Sequence, residues 1–499
     1  MLLIPGAKAL AISLAAAATL AGCVLGPNFH SPEAPAAERY TPEALPTETA
    51  ATPGVAGVAQ RFVTDQDIPA EWWSLYRSEA LDQMIRQAIA DSPTLAAAQA
   101  TLRQAQENLK AQSGALLWPS VDAQASATRQ RSSAAALGIP GGGSVFNLYH
   151  ASVNVSYLLD VFGGSRRQLE ALRAQVDFEA FQLQAAHLAL TANIITTAVR
   201  EASLRAQIQA TQDILIALQK QLDVVERRFE LGAVSRSDIL AQRTSLAQIR
   251  ATLPPLEKQL AQTRHQLSVY LGKLPNEAAF PEFRLDALQL PRELPVSLPS
   301  SLVRQRPDIR ASEALLHQAS AQIGVATANL YPQITLSGNY GSETTQFNKL
   351  ADSSSMIWSA GASLLQPIFH GGELSAKRRA AVAAYDQAAA QYREIVLGAF
   401  QNVADVLRAL ETDARTLQAQ ADAENLARDS LELTQRQFQL GAVSYLSLLN
   451  AQQQYSETRI NLVQAQAARY SDTAALFQAL GGGWWNRGAS AEEGGKPSR

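Results

Sequence analysis

The feature that most constrains this chain is a very long stretch without a helix-breaking residue. From Ser165 to Leu231 the sequence contains neither proline nor glycine. At about 1.5 Å of rise per residue, a helix over this range would be roughly 100 Å long. Helices of globular proteins average only about 11–12 residues. Hydrophobic residues make up 47% of the 499 residues, but aromatic residues only 6%. The sequence therefore predicts long helices rather than several compact globular cores.

A tight turn with helix-capping residues follows this stretch. Gly232 fits the position after a helix end, where a left-handed backbone is easiest for glycine. Ser235 fits the N-cap of a returning helix that extends to Leu271. Pro254 and Pro255 lie inside that second helix, and we expect them to kink or interrupt it. The predicted tip of this helical hairpin is the segment Gly232, Ala233, Val234 and Ser235.

The same turn occurs a second time, far along the chain. RRFELGAVSRSDILAQ occupies residues 227–242, and RQFQLGAVSYLSLLNAQ occupies residues 436–452. The second copy follows a long helical stretch at 373–440 and precedes a helix that extends to Leu480. Its predicted tip is Gly441, Ala442, Val443 and Ser444. We interpret this as a tandem duplication, in which each half contains a helix pair, two strands, a long helix, a tight turn and a returning helix.

Between the helix pair and the long helix of each half, the hydrophobic pattern changes to strict alternation. Val121, Ala123 and Ala125, for example, alternate with Asp122 and Gln124. This pattern predicts strands at about 119–131, 149–160, 332–342 and 356–366, each with one apolar and one polar face. In a water-soluble sheet the apolar face would meet a core, whereas in an outer-membrane barrel it would meet lipid and the polar face would line the lumen.

These patterns divide the sequence into consecutive segments. The helix pair of the first half is broken at Ser92-Pro93, and Gly163-Gly164 and Gly371-Gly372 mark the corners between strands and long helices. The predicted segments are a signal peptide at 1–22, an extended tail with an equatorial anchor at 24–77, a first repeat at 78–272, an equatorial linker at 273–300, a second repeat at 301–480 and a C-terminal tail at 481–499.

The single cysteine of the chain, Cys23, ends the sequence LAGC after an apolar run. Such a run is typical of a secretory signal, and LAGC resembles a bacterial lipobox, in which the cysteine is lipidated and becomes the new N-terminus. The alternative is an ordinary signal cleaved near a cysteine, but a lone cysteine in an exported chain invites oxidation. Val24 follows instead of the Asp that favours inner-membrane retention in such lipoproteins, so the resemblance points to the outer membrane.

Charge and hydropathy limit the remaining classes. The formal net charge of −3 provides no basic footprint for nucleic acid. Beyond the signal there is no uncharged apolar run of about 18 residues, so no transmembrane helix is predicted. A chain of this kind that spans a membrane must do so as a closed barrel. Because about eight strands are the minimum for closure, four strands per chain predict that several copies share one barrel, with two copies supplying eight strands and three supplying twelve.

The sequence contains no pattern typical of an enzyme. Walker, GxSxG and HExxH motifs are absent, so we expect no catalytic residue, metal site or cofactor. GGGS at 141–144 precedes a strand-like segment rather than a helix and is interpreted as an exposed loop. A purely structural coiled-coil lipoprotein is a second non-enzymatic alternative, which the alternating strands disfavour. The six histidines are scattered without ligand spacing: His30, His150, His187, His265, His317 and His370.

Several short motifs along the chain together resemble one family. They are, in order, CVLGPNF, EWWSLY, LPSSLVRQRPDIRASEALL, IGVATANLYPQITLSG, QPIFHGGEL, AFQNVADVL and LGGGW. They resemble the TolC/OprM family of outer-membrane efflux factors, and within it the NodT-like lipoproteins that serve resistance-nodulation-division (RND) pumps. The resemblance implies an α+β membrane protein: a homotrimer with a 12-stranded outer-membrane β-barrel, four strands from each chain, continuous with a long periplasmic α-helical barrel.

The same resemblance implies a function and partners. Such a protein is a passive exit duct for small molecules such as drugs or solvents, contributes to antibiotic resistance, and works with a periplasmic adaptor (a membrane fusion protein) and an inner-membrane RND-type transporter. The alternative is the outer-membrane component of a type I protein secretion system or of a heavy-metal efflux system. The family's hairpin tips form the periplasmic entrance and the adaptor contact, although GAVS could also be only a well-capped turn.

Three residues beyond the tips are the predicted gate candidates. The family often carries an acidic residue nine positions after the turn glycine, but here that residue is Asn450, which puts a charged gate from the second half in doubt. Asp238 could supply carboxylates from the first half, or it could only stabilise its helix N-terminus. Leu446 could form an apolar constriction, or it could pack at a helix interface.

Two aromatic residues precede the prolines at which the helix pairs end. Trp118 and Tyr331 could belong to an aromatic belt at the membrane interface. The alternative is that they pack within the junction between helix and strand.

Overall fold

The computed structural model describes residues 24–64, 66–133, 138, 143–277 and 279–487. They form two compact units, and each unit draws on both halves of the sequence. The repeats are therefore not separate structural units, because strands of both repeats hydrogen-bond in one sheet. The sheet unit comprises the N-terminal residues to Pro32, Thr101–Ala180 and Ala311–Arg393; the helical unit comprises Glu33–Ala100, Phe181–Arg310 and the residues from Glu394 onwards.

The helices follow the predicted order. The two long helices are 67 residues each and the two returning helices are 35 residues each, which confirms both predicted hairpins. No described helix is both long enough and apolar enough to cross a membrane. The helices are α1 (Glu79–Asp91), α2 (Pro93–Leu117), α3 (Gly164–Glu230), α4 (Arg236–Tyr270), α5 (Pro299–Gln305), α6 (Pro307–Ala328), α7 (Glu373–Gln439) and α8 (Tyr445–Ala479).

The predicted strands form one antiparallel sheet. Its order along the sheet is β2-β3-β5-β6, so the hairpin of the first repeat pairs directly with that of the second. The strand β3 begins at Val145, somewhat before its predicted start, and the other strands lie close to their predicted bounds. The strands are β2 (Ser120–Arg131), β3 (Val145–Leu159), β5 (Gln333–Thr344) and β6 (Met356–Leu365).

Two further strands are not predicted by the sequence patterns. The strand β1 (Arg61–Thr64) lies in the predicted extended tail, and β4 (Glu293–Val296) lies in the predicted linker. They pair in parallel and form a separate two-stranded sheet. Each strand has only four residues, which is too short for an alternating pattern to emerge, and their pairing depends on residues far apart in the sequence.

Pro254 and Pro255 were expected to kink or interrupt the returning helix, and they do not interrupt it. The helix α4 continues through both prolines. Proline removes the N–H that would bond the carbonyl four residues earlier. Here those carbonyls belong to Arg250 and Ala251, which are both exposed. Water can therefore satisfy the carbonyls without ending the helix.

Candidate functional sites: the sheet faces and the hairpin tips

The register of the four-stranded sheet places large apolar residues from all four strands on one face. Val121 lies opposite Val155, which lies opposite Gly338, and this row ends at Ala360. Neighbouring strands that share a pair also share a face. The large apolar residues of this face are largely exposed: Val121, Val153, Val155, Leu336, Tyr340, Trp358 and Leu364. An exposed apolar surface of this kind marks a contact with lipid or protein.

The opposite face of the sheet carries a polar row. Asp122, Asn154, Asn339 and Ser359 lie side by side on the four strands. The Asn339 side-chain amide donates a hydrogen bond of 2.6 Å to the Asn154 Oδ1 atom. The sheet thus separates an apolar surface from a hydrogen-bonding surface, as the alternation predicted.

The two edges of this sheet are β2 and β6. Nearly every residue of both strands is exposed in the isolated chain. Within the described residues, neither outer edge is hydrogen-bonded to a further strand. An unpaired strand edge is a template for pairing with another chain.

The two hairpin tips share one backbone conformation. Gly232 and Gly441 have φ angles of 73° and 75° in the left-handed region. At each tip the N–H after the glycine donates to a carbonyl five residues earlier, from Ala233 to Arg228 and from Ala442 to Gln437, which is the Schellman pattern. The next helices begin with Ser235 and Ser444 as N-caps, whose side chains accept hydrogen bonds from the first turn. These positions confirm the predicted capping residues.

The first tip holds the second through an arginine. The Arg228 guanidinium donates to the carbonyls of Phe438 and Gln439, each at 3.0 Å. These are the last carbonyls of α7, which have no partner within the helix. The guanidinium carbon also lies 4.8 Å from the centre of the Phe438 ring. The arginine therefore caps the C-terminus of helix α7 in the other hairpin and contacts the Phe438 ring.

A buried tyrosine forms the second link between the tips. The Tyr445 hydroxyl donates to the Gln242 Oε1 atom, and the Gln242 side-chain nitrogen donates to the Leu218 carbonyl at 2.9 Å. Burial, with the Asp238 carboxylate adding to it, raises the pKa of Tyr445 well above its ordinary value. The hydroxyl therefore stays protonated and remains a donor. Around this pair the hydrophobic cluster of the tips consists of Val225, Phe438, Tyr445 and Leu448.

The predicted gate candidates lie beside this contact. The Asp238 carboxylate accepts from the Ser235 N–H at 2.9 Å, and the Ser235 hydroxyl accepts from the Asp238 N–H at 3.3 Å. This capping box supports the interpretation that Asp238 stabilises its helix N-terminus. Leu446 is 63% exposed, and Asn450 is also exposed. Neither packs at a helix interface within the isolated chain, and a role at a gate stays a prediction for all three.

The two aromatic residues at the helix–strand junctions differ from each other. Tyr331 stacks on Phe162 with ring centres 5.1 Å apart, which agrees with packing in the junction. Trp118 is 71% exposed. An interface belt therefore remains a prediction for Trp118 in particular. Cys23 lies outside the described residues.

The residues that join the tips are not identified by any sequence pattern. Arg228 and Gln242 lie in the first matching segment, and Phe438 and Tyr445 lie in the second, but no motif highlights them. A comparison of the two matching segments would have pointed to these residues, because the residue types differ there: Arg228 corresponds to Gln437, and Gln242 corresponds to Ala451. Positions at which two matching segments differ are candidates for contacts between them.

A two-faced sheet with unpaired edges, together with two paired long helical hairpins, is the architecture expected of an outer-membrane channel. Comparison with known proteins agrees. The sequence model of the family described as "Outer membrane efflux protein" matches residues 84–273 and 298–482, and the chain belongs to this family. The probable efflux pump outer membrane protein TtgC of Pseudomonas putida is 30% identical over 488 residues, 97% of each chain.

Two further similarities support the assignment. The pyoverdine export outer membrane protein OpmQ of Pseudomonas putida is 32% identical over 422 residues, 83% of this chain and 88% of the relative. The solved structure of the outer-membrane channel OprN is 25% identical, with a TM-score of 0.83 over 93% of this chain and 100% of that chain. The protein is therefore an efflux protein of the bacterial outer membrane. This is a transport family rather than an enzyme family.

Proposed function

We propose that three copies of this chain close one 12-stranded outer-membrane barrel and form the passive exit duct of a tripartite efflux pump. One observation carries the proposal: the sheet has an apolar face, a polar face and two unpaired edges. In a barrel, β2 of one copy pairs with β6 of the next, so no edge remains in lipid. The apolar face then meets lipid and the row of Asp122, Asn154, Asn339 and Ser359 lines the lumen.

Exposed helical surface supports the same assembly. In the isolated chain, Leu95 is the one residue of α2 (Pro93–Leu117) that is buried, so the rest of this helix is at least partly exposed. The first turns of α7 are also largely exposed. These helices adjoin the edge strands β2 and β6 in the sequence, so neighbouring copies cover both the strand edges and the helices. The number three rests on the resemblance to the family.

The hairpin tips are the proposed entrance of the duct. Gly232–Ser235 and Gly441–Ser444 contact a periplasmic adaptor, and an inner-membrane RND-type transporter supplies the substrate. Asp238, Leu446 and Asn450 set the aperture. Acyl chains on Cys23 anchor the N-terminus in outer-membrane lipid. Because relatives are named for efflux of toluene, solvents and pyoverdine, we assign small molecules as the substrate class.

Native mass spectrometry and bilayer insertion test the assembly. The detergent-extracted protein should have three times the chain mass, and a folded, membrane-inserted monomer would exclude a shared barrel. Val155→Arg, on the apolar face, should destabilise insertion by about 2–4 kcal/mol near the midplane. The matched control is Ser156→Arg, because Ser156 is exposed on the polar face of the same strand. Equal losses for both variants would contradict the assignment of the faces.

A further inference from the structure

A loop in the helical unit, residues 49–60 and here called the tail loop, is closed on itself. The Thr49 N–H donates to the Gln60 carbonyl at 2.9 Å, and the Gln60 N–H donates to the Thr49 hydroxyl at 3.0 Å. Ala56 within the loop has a φ angle of 59°, in the left-handed region that residues other than glycine seldom adopt. The strand β1 follows directly at Arg61. Because such a backbone conformation persists only where its surroundings hold it, contacts outside the loop must fix it.

One arginine of α8 provides such a contact. The Arg469 side chain is fully buried. Its Nη2 atom donates to the Gln60 Oε1 atom at 2.9 Å, to the Val58 carbonyl at 3.2 Å and to the Thr49 hydroxyl at 3.4 Å. Gln60 is also fully buried, and its side-chain nitrogen donates to the Thr473 hydroxyl of α8 at 3.1 Å. The arginine and the glutamine together join the tail loop to the helix.

The same guanidinium has donors that the loop does not use. Within the described ranges, the buried Nε and Nη1 atoms of Arg469 have no hydrogen-bond partner. One turn along α8, the Oδ2 atom of Asp472 is likewise buried and has no partner in the part of the chain that the structure describes. Side chains three residues apart on a helix are neighbours and can form an ion pair. Buried donors and a buried acceptor that are both unused indicate a second arrangement of these two side chains.

Asp472 is instead bonded to a second carboxyl group, that of Asp413 on α7. The two side chains share a hydrogen bond. A hydrogen bond between two carboxyl groups requires a proton on one of them. Burial, followed by the hydrogen bond and the charge of Asp413, raises the pKa of Asp472 to about 8, although the Arg469 charge opposes the shift. The carboxyl pair therefore holds one proton at neutral pH, and loss of that proton places two negative charges in contact.

The other titratable groups around the carboxyl pair keep their charge near neutral pH. Tyr76, which precedes α1, interacts with the pair, and Tyr470 on α8 interacts with Arg469. Burial raises the pKa of Tyr470 to about 12 and that of Tyr76 well above its ordinary value, so both hydroxyls stay neutral. Asp286, which acts on Tyr470, stays ionised because its hydrogen bond with Arg284 lowers its pKa. The guanidinium of Arg469 stays protonated. Among these described groups, the carboxyl pair alone changes charge.

We propose that the Asp413–Asp472 pair is a proton-controlled latch for the tail loop. With one proton on the pair, Asp472 stays bonded to Asp413 and Arg469 donates to the loop. When the proton leaves for solvent, the repelled Asp472 carboxylate accepts from the Nε and Nη1 atoms of Arg469, and the guanidinium turns away from the loop. The pH of the surrounding compartment then controls how firmly the loop is docked. The latch lies wholly within the helical unit, so its test does not depend on the proposed trimer, duct or lipid anchor.

The direction of the pH effect follows from the state that binds the proton. The docked loop keeps the proton on the pair up to about pH 8, whereas an Asp472 released from the pair should have the pKa of an ordinary aspartate, about 3.9. Docking is therefore most stable at low pH and weakens by up to about tenfold per pH unit as the pH rises towards 8. Above about pH 8 both states have lost the proton, so docking should no longer depend on pH.

Hydrogen exchange of the full, detergent-purified protein tests the latch. Exchange of peptides that cover the tail loop is followed by mass spectrometry from about pH 6 to 9, and each rate is divided by the intrinsic rate at that pH. Protection of the loop should fall by at least about tenfold between about pH 6 and 8 and then level off. In Asp472→Asn, whose amide cannot ionise but can still donate to Asp413, protection should stay constant. Constant protection in the parent protein, or an unchanged pH step in Asp472→Asn, would overturn the proposal.

Two further variants separate the carboxyl pair from the overall charge of the protein. Asp422→Asn replaces an exposed carboxylate on the same helix as Asp413 and should leave the pH step where it is. Asp413→Asn removes the negative partner and should move the step to lower pH, because burial alone then raises the pKa of Asp472. Equal shifts in both variants would overturn the proposal. A step confined to peptides of α8, with the tail loop unchanged, would also overturn it, because the pair would then act on its own helix only.

Discussion

The two hairpin tips have the same backbone but different side-chain roles. Both end a 67-residue helix with a left-handed glycine and begin a 35-residue helix with a serine cap. At equivalent positions, however, Phe229 is 42% exposed and Phe438 is 5% exposed. Arg228 of the first tip caps the second, whereas its equivalent Gln437 makes no such contact with the first among the described hydrogen bonds. The two tips thus share the glycine and serine that set the turn, whereas the side chains that join the tips differ between them.

This difference indicates which residues of the two matching segments have different roles. The turn geometry depends on glycine and serine, so both copies keep them. In the contact between the tips, Arg228 donates from the first tip and Tyr445 donates from the second, so the two matching segments contribute different side chains. Arg228 and Gln242 lie on one side, and Phe438 and Tyr445 lie on the other.

The largest effect should come from the equivalent phenylalanines. Phe438→Ala removes a buried ring from the cluster with Val225 and Leu448, so the tip should lose about 3–5 kcal/mol of local stability. Phe229→Ala should lose far less, because that ring is exposed in the isolated chain. Hydrogen exchange of the tip amides measures both variants. Similar losses would mean that the tips are energetically equivalent.

Removal of the arginine cap should have the next largest effect. Arg228→Met leaves the last carbonyls of α7 without their charged donor and should cost about 1.5–3 kcal/mol, the range for hydrogen bonds to charged groups. The control is Gln437→Met at the equivalent position. Exchange should accelerate at the C-terminus of α7, in the other hairpin, for Arg228→Met alone. Acceleration confined to α3 would show that Arg228 acts only within its own helix.

Asp238→Ala separates a capping role from a gating role. Loss of the Asp238 carboxylate from the first turn should cost about 0.3–1 kcal/mol, whereas Ser447→Ala, at the equivalent position in the second tip, should cost less. If three carboxylates also converge at the entrance, planar-bilayer conductance should rise or lose cation preference, and the effect should shrink at high salt. Unchanged conductance with reduced tip stability would restrict Asp238 to capping.

The smallest change in stability is expected at Leu446. Because this side chain is 63% exposed, Leu446→Ser should alter the stability of the tip by less than about 0.5 kcal/mol. If Leu446 lines an apolar constriction, the same variant should nevertheless increase conductance, and Leu240→Ser, which replaces an exposed leucine beyond the first tip, should not. A large loss of stability would instead place Leu446 in an interface between copies.

Sequence alone determined the features of this protein that depend on neighbouring residues. The absence of proline, with Gly398 as the one glycine in the second stretch, predicted both long helices. Glycine and serine predicted their tips, and alternation predicted the two-faced strands, because each of these signals acts over a few residues. The tertiary structure decided the rest. The pairing of β1 with β4, the capping of α7 by Arg228 and the docking of the tail loop on Arg469 all join segments far apart in the sequence. Hydrogen-bonding groups at such distances find partners only once the fold has brought them together, and no local pattern records which partners they will be.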